Sequence, residues 1–233
     1  MNLNISKIKD SLSVIILCGG EGQRLMPLTR KMPKPLIKIR NKAIIEYIIS
    51  HFKKFKISKI IIASGYKNKL IKNFFKKKNK KIKIINTGLN TSIIGRIKKI
   101  ENHLEKNIIL CYGDTLVDIN LNKLINLYAK DRTKFLVSSY ELKSSFGILS
   151  TSKKNFVTKF KEKPKLGIWF SVGYFLFSKS YFKDLKKFNK FENFLTYLVK
   201  KKNLKTFKHK GKHITVNTIT ELEEAKTEIT KFI

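Results

Sequence analysis

The sequence predicts an α/β protein: three layers, α/β/α, around a central mixed, mostly parallel sheet. Three observations predict it. Short apolar runs alternate with amphipathic stretches of helical period through the first 130 residues. Those runs are continuous rather than alternating, as in strands buried on both faces. The links between them are short, which suits strand–helix–strand units with helices on both faces of a sheet.

Each element follows from its own pattern. Residues 14–18 (VIILC) are a continuous apolar run that ends at glycines, so they read as a buried strand. Ile44, Ile45, Ile48, Ile49 and Phe52 fall on one helical stripe, so residues 43–55 read as a helix. A second strand is expected at 59–64 and a helix at 68–77, with Leu70, Ile71, Phe74 and Phe75 turned inward. A third strand follows at 81–85, a helix at 95–104, a fourth strand at 107–112 and a helix at 121–129. Beyond residue 135 strands crowd together, at 135–140, 147–149, 156–160 and 168–177, which makes the sheet mixed. Residues 220–232 close the chain as a helix. With no repeat, linker or low-complexity segment, residues 1–233 read as one domain with two halves, 1–130 and 131–233.

Composition narrows the function classes. Lys and Arg number 51 against 16 acidic residues, a formal net charge of +35. Nucleic-acid binding is the first reading of such a value, but it requires clustering on one face. Here the lysines are spread over the whole chain, alongside over-used Ile and Asn, as compositional bias would give. No specific nucleic-acid partner is expected. The charge still favours polyanionic small molecules. Cys18 and Cys111 each end an apolar run and read as two buried thiols, with neither a disulfide framework nor zinc spacing. His51, His103, His209 and His213 show no metal-ligand spacing and read as solvated or helix-face residues. No signal-like leader and no apolar run of ~18 residues occurs, so a cytoplasmic protein without a membrane partner is expected.

The densest chemical signal is LCGGEGQRLMPLTRKMPKP, residues 17–35. Gly19, Gly20 and Gly22 follow the first strand directly. Glycines let the backbone approach a ligand, and successive N–H groups in such a turn form an anion site. Arg24 follows, and Lys34 sits between two prolines that fix its backbone. N–H donors, a guanidinium and an ammonium that converge are what a triphosphate needs. The spacing fits neither a dinucleotide fingerprint nor a Walker loop. Asp114 directly follows the strand 107–112, at the sheet end where Gly19 also emerges. A carboxylate there suits Mg²⁺, which takes hard oxygen ligands and bridges phosphates. Asp118 reads equally as a supporting group or a cap.

The run GGEGQRLMPLTRKMPKP resembles the signature of the sugar-1-phosphate nucleotidyltransferases. The segments TGLNTSIIGRIKKI, YGDTLVDIN, FGIL and FKEKP follow in that family's order and spacing. Together they span nearly the whole chain, and their form is nearest to glucose-1-phosphate cytidylyltransferases and heptose-1-phosphate guanylyltransferases. The resemblance implies a Rossmann-like fold and a reaction of a nucleoside triphosphate, CTP first, with a sugar 1-phosphate, using Mg²⁺. It implies that residues 1–130 bind the nucleotide through Leu17, Gly19, Gly20, Gly22, Arg24, Thr87, Gly88, Thr91 and Arg96. It assigns the catalytic roles to Arg24, Lys34 and Asp114. Residues 131–233 would bind the sugar phosphate through Gly147, Glu162, Lys163 and Gly173. Asp114 and Asn217 would hold the metal. A homo-oligomer is left open.

Two departures stand against the pattern. Asn217 lies in HITVNTITELEEA where the family has an Asp, and a neutral oxygen binds Mg²⁺ more weakly. SVG at 171–173 replaces an Asn-containing form, with Trp169 and Phe170 beside it as pocket or core residues. A catalytically weakened nucleotide- or sugar-phosphate-binding homologue is therefore a second reading. A phosphocholine-type cytidylyltransferase is a third, although no cage for a quaternary amine is evident.

Overall fold

Helix α1 (Asn2–Asp10) leads into strand β1 (Leu12–Cys18) in the computed structural model, which describes residues 2–76 and 82–231. The glycine-rich loop and helix α2 (Leu28–Lys31) precede a small hairpin, β2 (Lys38–Ile39) and β3 (Lys42–Ala43), and helix α3 (Ile44–Lys54). Strands and helices then alternate through β4 (Ile60–Ser64), α4 (Asn68–Lys76), β5 (Lys83–Asn86), α5 (Ile93–Ile100) and β6 (Asn107–Tyr112). Strand β7 (Thr115–Val117) and helix α6 (Leu121–Lys130) end the first half. The second half runs β8 (Phe135–Lys143), β9 (Ile148–Thr151), β10 (Val157–Lys161), β11 (Lys165–Ser178), α7 (Phe182–Leu185), α8 (Phe191–Lys200), β12 (Leu204–His209), β13 (His213–Thr215) and α9 (Ile219–Glu228).

Seven of these strands form one sheet in the order β12-β8-β11-β6-β1-β4-β5. Strand β11 runs antiparallel to both β6 and β8, and the remaining neighbours pair in parallel. The sheet is thus mixed but mostly parallel, and it takes strands from both halves of the chain. Strand period two sends alternate side chains to opposite faces. Val14, Ile16 and Cys18 of β1 join one core cluster with residues of α1, α3, α6 and α9, while Ile15 joins the other with Ile94, Ile97 and Ile100 of α5. Ile109 and Cys111 of β6 face the first cluster, and Ile108 and Leu110 face the second. Helices therefore cover both faces, which explains why these strands read as unbroken apolar runs.

The expected strands and helices of the first half appear within a few residues of their sequence bounds. Lys77, Lys81 and Phe232, expected ends of elements, lie outside the described residues. Strands β7, β12 and β13 and helix α8 are among the elements with no counterpart in the sequence expectations. Strand β12 is an edge strand rich in lysine, with most of its side chains exposed or half-buried, so it lacks an apolar run. Helix α8 buries Phe191, Phe194 and Leu198, a helical stripe that was present in the sequence. Strands β7 and β13 are three residues each and, among the described residues, pair only with each other. The histidine reading holds for His51, which is half-buried on α3, and is corrected for two others: His209 is buried, and His213 is half-buried in β13 beside Tyr140 and Phe170.

Candidate active site

Strands β1 and β6 are parallel neighbours, with Leu17 opposite Tyr112. Their carboxyl ends therefore deliver Gly19 and Asp114 to the same edge of the sheet. The loop after β1 is tightly constrained. Gly22 has φ 67, and a Cβ there would lie 3.2 Å from Lys34 Cβ. The Thr29 hydroxyl donates to Gly22 O at 3.1 Å and closes the loop. At Gly19 a Cβ would fall 1.9 Å from Arg96 Cζ, so only glycine lets the strand end lie over that guanidinium. Gly20 has open space where its Cβ would be, so its backbone faces the cavity.

Lys34 sits at the centre of the polar contacts. The turn that begins at Pro33 fixes its backbone, and the side chain is buried. Its Nζ donates to Asp114 Oδ2 at 2.6 Å and to Asn217 Oδ1 at 3.0 Å. Arg24 Nη2 donates to the same Asn217 oxygen at 3.2 Å. The small ladder of β7 and β13 explains how two residues so far apart in sequence meet. Thr115 pairs with Thr215, so the start of β7 and the end of β13 lie side by side, with Asp114 just before the one and Asn217 just after the other. Asn217 is then held by the start of α9. Thr218 Oγ1 caps Glu221 N at 3.1 Å, and Glu221 Oε2 accepts from Asn217 N at 2.8 Å.

The loop after β5 forms the opposite wall. Thr87 donates to Ser64 O at 2.7 Å, and Thr91 donates to Thr87 O at 2.7 Å. Gly88 takes φ 95. Arg96 on α5 is 6% exposed, and burial lowers its pKa from the ordinary value. Its guanidinium donates to Thr87 Oγ1, Gly88 O and Leu89 O at 2.5, 2.8 and 2.9 Å, and to Ser64 O at 3.3 Å. Arg96 thereby ties this loop to the floor beneath Gly19.

These elements enclose a cavity of about 800 Å³. Of the expected residues, Leu17, Gly19, Gly20, Gly22, Arg24, Lys34, Thr91, Arg96, Asp114 and Asn217 line it. Thr87 and Gly88 support the wall from behind. Leu89, Asn90 and Tyr112 also line it and were not singled out in the sequence, although each lies inside or beside a quoted motif. Gly147, Glu162, Lys163 and Gly173 are not part of the lining. A Cβ on Gly147 would lie 3.0 Å from Glu162 Oε2, so these two are neighbours at the base of the exposed β9–β10 arm. Gly173 (φ 71) sits in a bulge of β11 against the Tyr112 ring, which separates it from the cavity interior. Phe170 packs on Tyr140 and His213, a core position. Asp118 accepts from His209 Nε2 at 2.9 Å and from Lys212 N at 2.6 Å, and so ties the β12–β13 turn. Among the described residues no group of three or more His, Cys, Asp or Glu side chains could cage a metal. Mg²⁺ does not require one: it is commonly held by one carboxylate plus substrate phosphates and water, and the Asp114 carboxylate fits that mode.

The model of the family described as nucleotidyl transferase matches residues 13–227. The chain belongs to that family. A D-glycero-alpha-D-manno-heptose 1-phosphate guanylyltransferase of Campylobacter jejuni is 31% identical over 82% of this chain and 87% of that protein. A probable glucose-1-phosphate cytidylyltransferase of Bacillus subtilis is 28% identical over 91% of the chain and 94% of its own length. The bifunctional protein GlmU of Methanococcus aeolicus is 29% identical over 95% of the chain, which spans only 55% of that relative. In fold, the chain is similar to a putative glucose-1-phosphate thymidylyltransferase of Bacillus anthracis, with TM-score 0.75, 17% identity and coverage of 93% and 94%. The mostly parallel, mixed α/β fold expected from the alternation of strands and helices, and implied to be Rossmann-like by the family resemblance, is thus the fold found. No helix among the described residues is long and apolar enough to cross a membrane.

Proposed function

We propose that this nucleotidyl transferase joins a nucleoside triphosphate, CTP in preference, to a sugar 1-phosphate and releases pyrophosphate. The observation that carries this reading is the contact of Lys34 Nζ with Asp114 and Asn217 beside the glycine loop, inside one cavity. Backbone N–H groups of the Gly19–Gly22 loop, Lys34 and Arg24 receive the phosphate chain. Mg²⁺, when bound with Asp114 as its protein ligand, neutralises charge on the phosphates. Arg96 holds the loop of Thr87, Gly88 and Thr91 in place beside the base. Glu162 accepts hydrogen bonds from the sugar hydroxyls, and Lys163 holds the sugar phosphate, while Gly147 and Gly173 leave room for the Phe160 and Tyr112 rings that pack on them.

The reaction needs no protein nucleophile. An oxygen of the sugar phosphate attacks the α-phosphorus in line, the new P–O bond forms, and the bond to the β-phosphate oxygen breaks. The electron pair leaves with pyrophosphate. Arg24 and Lys34 stabilise that departing charge from fixed positions, which is catalysis by positioning and electrostatics. The preference for CTP is supported by the B. subtilis relative, which this chain matches over almost its full length. Competition decides it. The purified protein is given CTP, GTP, UTP, dTTP and ATP together with glucose 1-phosphate or a heptose 1-phosphate, and the products are identified by mass spectrometry. A cytidine-diphosphate sugar as the main product supports the reading. A guanosine-diphosphate sugar refutes the CTP preference, and no nucleotide sugar from any mixture refutes the function.

A further inference from the structure

Asn217 is built as an acceptor for two cations. An amide oxygen has two lone pairs. Both are engaged here, by Lys34 Nζ at 3.0 Å and Arg24 Nη2 at 3.2 Å. The mount is rigid, because the Asn217 backbone N–H is held by Glu221 at the first turn of α9. Lys34 is fixed from its other side by Asp114 at 2.6 Å and lies against Gly22 of the phosphate loop. Two like charges that share one acceptor repel, and a neutral amide does not cancel either of them. Arg24 and Lys34 against Asp114 leave one net positive charge at this point. A carboxylate at 217 would remove it.

We propose that Asn217 is a positioning residue that holds Lys34 and Arg24 side by side as a metal-independent clamp for the nucleotide's phosphate chain. The proposal rests on the reading that this cavity binds a nucleoside triphosphate. It assigns the Asn217 oxygen to the two cations rather than to a metal ion. The hydrogen bonds of Asn217 with Lys34 and Arg24 and the charge of those two side chains require no metal ion, so part of the affinity for triphosphate persists without a divalent cation.

Calorimetric titration of the full chain with CTP and with GTP, in EDTA and in excess Mg²⁺, tests this for wild type, Asn217→Asp and Asn217→Ala. Wild type is expected to bind in EDTA. Asn217→Asp is expected to weaken binding in EDTA about tenfold or more, because the added carboxylate cancels one clamp charge. Excess Mg²⁺ should restore most of that loss. Asn217→Ala should weaken binding about threefold to tenfold in both conditions, because orientation is lost while charge is kept; this variant carries the test alone if the Asp variant does not fold. Asn217→Asp binding in EDTA as tightly as wild type overturns the proposal. So does an effect of Asn217→Ala that appears only with Mg²⁺, since that marks a metal ligand. Wild type that binds neither nucleotide in either condition overturns the nucleotide reading itself and the clamp with it.

Discussion

Replacing Gly19 by alanine should damage both the fold and the site, whereas the same change at Gly20 should not. A Cβ on Gly19 would lie 1.9 Å from Arg96 Cζ and 2.0 Å from Nη1. The backbone cannot retreat freely, because Gly19 O accepts from Tyr66 N at 3.1 Å and β1 is paired on both sides. Arg96 must therefore move, and it makes four hydrogen bonds with the β4 end and the 87–89 loop. Hydrogen bonds from a charged donor contribute about 1.5–3 kcal/mol each, so the loss of two costs about 3–6 kcal/mol. Reduced chain entropy in the unfolded state offsets about 0.4–1 kcal/mol. The net loss of about 2–5 kcal/mol is a large share of an ordinary domain's stability. Gly20 has nothing within 4 Å of its Cβ position, so Gly20→Ala should stay within about 1 kcal/mol of wild type. Urea unfolding followed by fluorescence measures both, and calorimetry with CTP reports the site. Equal stability and equal nucleotide affinity for the two variants would refute the argument that Arg96 is packed beneath Gly19.

Asp114→Asn keeps a hydrogen-bond acceptor for Lys34 but removes the carboxylate charge, so Mg²⁺-dependent turnover should fall at least ~100-fold. Nucleotide affinity in EDTA should hold or rise, and a parallel loss in EDTA would contradict the metal role. Burial lowers the pKa of His51 and of His213 to about 4, against about 6.5 when unfolded. Between those values the unfolded chain binds more protons, so stability is complete above about pH 6.5 and falls as pH drops toward 4. After discounting for partial exposure, each histidine accounts for about 2 kcal/mol of that loss. Asn-for-His substitution at both positions should flatten the pH dependence of the urea midpoint, and an unchanged slope would contradict the assignment. Burial raises the pKa of Cys18 and of Cys111 well above an ordinary thiol. Their alkylation by iodoacetamide at pH 8 should follow global unfolding, and rapid labelling of folded protein would count against their burial.

The first half of the fold was legible because its strands are buried on two faces and its helices have one apolar stripe. Val14–Ile16 and Ile108–Cys111 point alternately into two cores, so nothing polar interrupts them. The glycine loop was legible for a different reason: its chemistry is local, with Gly19 to Lys34 in one continuous stretch. Strand β12 was not legible, since an edge strand exposes lysines and depends on β8 for its pairing. The contact of Lys34 with Asn217 could not be read from spacing either. It depends on the three-residue ladder of β7 and β13 and on the Glu221 cap, both products of long-range assembly. The same limit hid the role of Arg96. Position near the phosphate loop is visible in the sequence, but its four backbone and hydroxyl partners are not.

Pyrophosphate release by the purified chain distinguishes a working transferase from a protein that only binds nucleotide. The assay combines Mg²⁺ with each of CTP, GTP, UTP, dTTP and ATP and with each of several sugar 1-phosphates, singly and in pairs. A transferase releases pyrophosphate only when both substrates are present, for one preferred pair, and the rate is expected to fall at least ~100-fold in Arg24→Ala. Absence of release across all pairs, from protein that still binds nucleotide, would contradict the transferase reading.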